Sequence, residues 1–182
     1  MQQQILDKAL QLAAETGWER LTLQQVALAM HISLADIYHH FRTKDELVDA
    51  WFDRADVAML TAQIRAELPA KERLQQAIQH WLAALAPYHK LTGQMLLYKL
   101  EPGHIHLQLA GILRISRTVQ WLREAASLEA TGLSRVGQEL ALSSLFVAVF
   151  IYWLNDNSAD QQHSLSLLQR KLQCAGELKL WY

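Results

Sequence analysis

The feature that most narrows the fold is how rarely the chain is interrupted. Three prolines and seven glycines are spread over 182 residues, and between them apolar residues recur at a spacing near 3.6, not 2. That period places apolar side chains on one face of successive helices, so the expected class is all-α. Residues 3–15 set Ile5, Leu6, Ala9, Leu10, Leu12 and Ala13 on one broad stripe before Gly17. Thr22 then begins a T-x-x-Q capping box that opens a helix over 23–30, Ser33 opens a third by S-x-x-D, and Thr43 a fourth by T-x-x-E. The fourth is expected to run from Lys44 to about Glu67 and to end at Pro69.

Longer helical stretches follow. Residues 71–86 align Leu74, Ala77, Ile78, Trp81, Leu82 and Leu85, and shorter or longer periodic runs cover 88–100 and 105–128. The run from Ser134 to Leu154 is apolar nearly all round in its second half, which predicts burial on more than one side. Ser158 is read as the cap of the last helix through S-x-x-Q, with Leu165, Leu168, Leu172 and Ala175 on its apolar face.

Composition excludes several classes. With 51% hydrophobic and 19% charged residues, the chain is neither collagen-like nor disordered. The single thiol, Cys174, permits no disulfide within the chain and is read as a buried or interface residue. Together with the lack of a charged-then-apolar leader over 1–12, it predicts a cytoplasmic protein. The longest uncharged apolar stretch, 140–154, is 15 residues, short of the roughly 20 that span a bilayer, so no membrane span is expected. His104-Ile105-His106 reads as a solvated helix start, since no Cys or carboxylate lies near it at ligand spacing. No catalytic triad order, glycine-rich phosphate loop or isolated acid pair stands out. A non-enzyme without metal or cofactor is expected.

Net charge is −1, and its distribution is uneven. Residues 1–56 carry five Lys/Arg against nine acids, whereas residues 20–44 carry Arg20, Arg42 and Lys44 against Asp36 alone. This locally positive stretch coincides with the two short capped helices. Separated by the turn Met30-His31-Ile32, they form a helix-turn-helix pattern, whose second helix enters the major groove. Val26, Ala27 and Met30 are expected to face inward from the first helix, and Ile32, Ile37 and Phe41 to hold the second. Ser33, Leu34, Ala35, Tyr38, His39 and Arg42 are then left at the outward edge. The hydroxyls of Thr22, Ser33 and Tyr38 and the ammonium of Lys44 are donor types that fix a duplex through its phosphates.

At these residues the chain resembles the TetR family of bacterial repressors. The family pattern is matched by Gly17-Trp18, Thr22, Ala27, Ser33, Tyr38, Phe41, Lys44 and Leu47, over about residues 3–56. The resemblance implies that Thr22, Ser33, Tyr38, His39 and Lys44 contact the DNA backbone and that the third helix, with Leu34, Ala35 and His40, faces the bases. It also implies a helical regulatory domain that binds a small ligand and pairs as a homodimer. Two departures are visible: the family's usual glycine at the turn is His31, and the basic arm before the first helix is only Met-Gln-Gln-Gln. Residues 50–180 also resemble, more diffusely, the TetR-like lipid-binding accessory family of ubiquinone biosynthesis, where an aromatic pair serves partner contact; those positions are Arg135 and Val136 here.

The expected organisation is therefore a helix-turn-helix domain over 1–48 and a ligand-binding and dimerisation domain over 49–182. The function is ligand-responsive transcriptional regulation on operator DNA, with an isoprenoid-binding accessory protein as the alternative. Trp51, Met59, Trp81, Tyr88, Met95, Tyr98, Trp121, Phe146 and Phe150 supply the apolar area that a pocket between helices needs, and they point to a hydrophobic small molecule or lipid. The stretches from Ser134 to Leu154 and from Ser158 to Lys179 are the expected dimer surface, the first being too apolar for a monomer's exterior.

Overall fold

The computed structural model describes residues 1–99 and 105–181, with backbone alone for 105–112. Among these residues every regular element is helical: α1 (Gln2–Thr16), α2 (Leu23–Met30), α3 (Leu34–His40), α4 (Lys44–Thr61), α5 (Ala70–Leu85), α6 (His89–Lys99), α7 (Ile105–Ala125), α8 (Gly132–Leu154) and α9 (Gln162–Glu177). One-turn 3-10 pieces lie at Ala86–Tyr88 and Ala159–Gln161. They form two compact units, the first from residues 1–54 and 85–108, the second from 55–84 and from Leu109 onward.

The first unit buries the α1 stripe, Ile5, Leu6, Ala9, Leu10 and Ala13, and the inward residues of the next helices, Val26, Ala27, Ile37, Leu47, Val48 and Met95. α1 stops at Gly17, whose φ of 89° suits glycine and whose N–H donates to the Ala13 carbonyl. The next residue, Trp18, is fully buried, and its backbone N–H donates to Gln94 Oε1 at 2.8 Å. Trp51 donates through Nε1 to Thr92 Oγ1 at 3.0 Å and meets the Tyr88 ring edge-on, with centroids 5.7 Å apart. α6 is thereby held to the three-helix head by side-chain hydrogen bonds as well as by apolar packing.

The second unit is built around Leu74, Ala77, Ile78, Trp81 and Leu82 of α5, Leu142, Phe146, Val149 and Trp153 of α8, and Leu168 and Leu172 of α9. The Trp81 ring lies edge-on to Phe146 and Phe150 at 4.9 and 5.2 Å. Its Nε1 donates to Asp56 Oδ1 at 2.8 Å, a carboxylate that also accepts from Arg114 Nη2 at 2.7 Å and Thr118 Oγ1 at 3.0 Å. A charged pair thus sits in the core, its carboxylate on α4 bonded to side chains of α5 and α7, the condition under which burial of charge is tolerated.

Four boundaries or faces differ from the sequence expectation. α4 ends at Thr61, not near Glu67. Arg73 binds the carbonyls of Ala66 and Leu68, satisfying acceptors that a continued helix would have used. Pro69 instead opens α5, its carbonyl accepting the N–H groups of Glu72 and Arg73. The last helix starts at Gln162, after a 3-10 turn with Asp160 and Gln161 at φ 51°. Asp156 and Ser158 organise it together: the buried carboxylate accepts from the backbone and hydroxyl of both Ser158 and Ser164 at 2.6–3.0 Å, and the Ser158 hydroxyl accepts from the His163 N–H at 3.2 Å. α8 is buried on one face only, leaving Leu133, Val136, Leu140, Ile151 and Tyr152 exposed. At 23 residues it is long and apolar enough to cross a membrane by length and composition alone, a test that core helices of soluble proteins also pass. It also carries Arg135 ion-paired with Glu139 and buries Gln138, which donates to the Leu180 carbonyl. Finally, Cys174 is exposed, so its expected burial does not hold within one chain.

Candidate nucleic-acid interface

The corner between α2 and α3 is set by local hydrogen bonds that its sequence encodes. Thr22 Oγ1 accepts from the Gln25 N–H at 3.2 Å while Gln25 Oε1 accepts from the Thr22 N–H at 2.9 Å. Ser33 and Asp36 repeat the reciprocal pattern at the start of α3, with the Ser33 hydroxyl also donating to Asp36 Oδ2 at 2.6 Å. These bonds from Ser33 hold the Asp36 carboxyl below the ordinary carboxylate value. Between the helices, His31 adopts the left-handed conformation (φ 55°, ψ 39°). Its N–H donates to Leu28 and that of Ile32 to Ala27, the paired reverse bonds of a Schellman turn. The turn forms with histidine where glycine is the easier residue.

The outward surface of this corner is as follows. Thr22, Ser33, Leu34, Ala35, Tyr38, His39, His40 and Arg42 are all exposed, while Ile37 and Phe41 are buried. The Arg42 guanidinium lies 5.8 Å from the Tyr38 ring centroid, a cation–π contact that draws the charge onto the tyrosine. Leu23, Leu34, Ala35, Ile37, Tyr38 and Phe41 border an apolar depression of about 440 Å³ on this surface. Thr43 accepts from the Glu46 N–H, and Glu46 reaches back to the Arg42 N–H at 2.7 Å, which starts α4.

Lys44 departs from the outward-pointing ammonium expected of it. Half-buried, it donates to the Glu19 carbonyl at 3.0 Å and lies over the rings of Trp18 and Tyr98 at 5.1 and 5.2 Å. Partial desolvation pushes its pKa below the ordinary lysine value, with Glu19 pulling the other way. Sequence reading did not single out Lys99. On α6 and buried, it pairs with Asp45 at 3.1 Å and Asp49 at 2.6 Å, drawing part of the acidic cluster of α4 into ion pairs. The signal available was the two aspartates one helical turn apart, a spacing that places both carboxylates on one face and calls for a cation.

The apolar ligand candidates fall in both units. Trp51 and Met95 are buried and Tyr98 is half-buried in the first; Met59, Trp81, Phe146 and Phe150 are buried in the second. Trp121 of α7 is 44% exposed. The contacts bring Trp81, Phe146 and Phe150 together. A separate polar groove of about 740 Å³ on the second unit is lined by Lys71, Gln75, Gln79, Arg170, Gln173 and Cys174 among others. No cluster of three or more metal-ligating side chains occurs among the described residues; His104 and the side chain of His106 lie outside them.

The family model of bacterial regulatory proteins of the tetR family matches residues 5–51. A solved TetR transcriptional regulator from Nitrosomonas europaea is 42% identical, with 97% of this chain and 98% of that chain covered and a TM-score of 0.86. A TetR transcriptional regulator from a Rhodococcus species is 20% identical over 94% of this chain and 92% of that one, at a TM-score of 0.69. Another from Thermus thermophilus is 19% identical over 93% and 97%, at 0.57; these two bear on the fold alone. No curated protein matches the sequence. The Nitrosomonas europaea relative is a transcriptional regulator, which does not favour the quinone-accessory resemblance.

Proposed function

Because the chain belongs to the TetR family of bacterial regulatory proteins, we propose that it is a ligand-responsive transcriptional regulator that binds operator DNA as a homodimer. The observation that carries this reading is the helix-turn-helix corner, fixed by two reciprocal capping boxes, with Tyr38, His39, His40 and Arg42 exposed along one edge. α3 enters the major groove, and Thr22, Ser33, Tyr38 and Lys44 contact the backbone. Lys44 retains N–H hydrogens beyond the one given to Glu19, and its position at the start of α4 keeps it within reach of a phosphate. Such a protein acts in the cytoplasm, where its DNA lies. Two heads across a twofold axis must present their third helices about 34 Å apart, or a multiple of that, on a pseudo-palindrome.

The dimer forms through α8, whose bare face holds Leu133, Val136, Leu140 and Ile151, with α9 beside it. The ligand is a hydrophobic small molecule or lipid, seated among the aromatic and methionine side chains. It acts by binding one head spacing better than the other, and shifts DNA affinity only by that difference. Within the first unit, the bonds from α6 through Gln94, Thr92 and Lys99 provide the route: what moves α6 moves the head.

The test uses Tyr38→Ala with Arg42→Ala, exposed residues whose side chains make no buried contact. The unmodified protein is expected to shift its own promoter fragment at about 50 mM salt, where phosphate contacts are strong. The double variant should lose at least tenfold in affinity at unchanged melting temperature. A wild-type protein that shifts no DNA under these conditions defeats the proposal.

A further inference from the structure

The base-reading end of α3 is unusually poor in hydrogen-bonding groups. In a helix-turn-helix, the early residues of the second helix meet base edges. Here Ser33 and Asp36, the polar residues of that turn, are bonded to each other through both backbone and side chain. The remaining outward side chains are Leu34, 47% exposed, and the methyl of Ala35. Behind them lies the depression of about 440 Å³, floored by the buried Ile37 and Phe41 and rimmed by Leu23, Leu34, Ala35 and Tyr38. Donors and acceptors resume only a turn later, at Tyr38, His39 and His40.

In the major groove the one base feature that an apolar surface recognises favourably is the 5-methyl group of thymine; every other distinguishing feature is a donor or acceptor, which Leu34 and Ala35 would desolvate without pairing. We propose that this apolar corner is a thymine-methyl reader, and that each operator half-site carries a thymine whose methyl packs against Leu34 and Ala35. The proposal rests on the regulator reading and specifies its DNA chemistry. Arg42, held over Tyr38 at the edge of the same surface, supplies the neighbouring charge for a phosphate, so positioning and reading are divided between adjacent side chains.

The experiment begins with duplexes enriched by the full-length protein from a random pool, and replaces each thymine of the enriched half-site in turn by uracil. Uracil keeps every hydrogen-bonding group and lacks only the methyl. One or two positions per half-site should each lose about fourfold in affinity, the value of one buried methyl-sized group, and about sixteenfold when both half-sites are changed. Leu34→Ala, at an exposed position, should retain its melting temperature and bind the thymine and uracil duplexes nearly equally. Uracil tolerated at every position, or discrimination that survives in both Leu34→Ala and Ala35→Gly, overturns the methyl reader while leaving the regulator intact. Loss of discrimination in His39→Ala but not Leu34→Ala overturns it by placing the methyl against the His39 ring instead of the apolar corner. If no sequence is enriched at all, the regulator reading itself fails.

Discussion

His31 bears the cost of reversing the chain between α2 and α3. A side chain in the left-handed region costs roughly 1–2 kcal/mol, and only the unfolded-state entropy of glycine offsets its removal. His31→Gly should therefore stabilise the protein by about 0.5–1 kcal/mol in urea denaturation, after subtracting that entropy; a destabilised variant would mean that the imidazole makes a contact of its own. Asp156 is the opposite kind of residue, a carboxylate with no strain and many partners. Burial pushes its pKa up, but the bonds from Ser158 and Ser164 outweigh this and hold it well below the usual carboxylate range. Its folded pKa is depressed, so its contribution is complete above the unfolded value of about 4 and is lost progressively as pH falls further. Asp156→Ala should cost about 2–4 kcal/mol at pH 7, and the gap from wild type should narrow below about pH 4 in acid denaturation.

Among the elements, α4 is the one whose two ends do different work. Its first turns carry Asp45 and Asp49, which hold Lys99 of α6, and its later part carries Asp56, which gathers α5 and α7 through Trp81, Arg114 and Thr118. Removing one partner of that buried pair leaves an uncompensated charge. Arg114→Met is expected to cost about 3–5 kcal/mol, and adding Asp56→Asn should recover part of the loss. A double-mutant cycle by urea denaturation checks this, and a second substitution that only adds to the first would count against coupling. α8 is similarly divided: Phe146, Val149 and Trp153 face the core, whereas Leu140 and Ile151 face outward.

For the molecule as a whole, that outward face predicts assembly. Leu140→Glu with Ile151→Glu should convert a two-chain species to a single chain in sedimentation, with the helical content retained. A variant that still sediments as two chains would move the interface elsewhere. The charge pattern predicts the salt response of DNA binding. With Arg42 and Lys44 as the main permanent cations at the corner, and Lys44 partly withdrawn, a dimer makes at most about four phosphate neutralisations, so log affinity should fall with log salt at a slope no steeper than about −4 at pH 8. A slope near −8 at pH 8 would reveal cations not placed at this surface.

Short-range chemistry is legible in the residue order. The boxes at Thr22 and Ser33, the stripe of α1 and the apolar face of α5 each depend on residues three or four apart, and the bonds that fix them lie within one turn. The helices, the helix-turn-helix corner and the family pattern were therefore readable from neighbouring residues. Tertiary packing set the rest: Lys44 bends onto Trp18 and Tyr98, Lys99 answers two aspartates some fifty residues earlier, Arg73 takes carbonyls beyond the end of α4, and α8 leaves one apolar face bare. The first two join groups distant in sequence. Their free energy depends on which side chains share a desolvated space, and a periodicity records only that a face is apolar, not what will cover it.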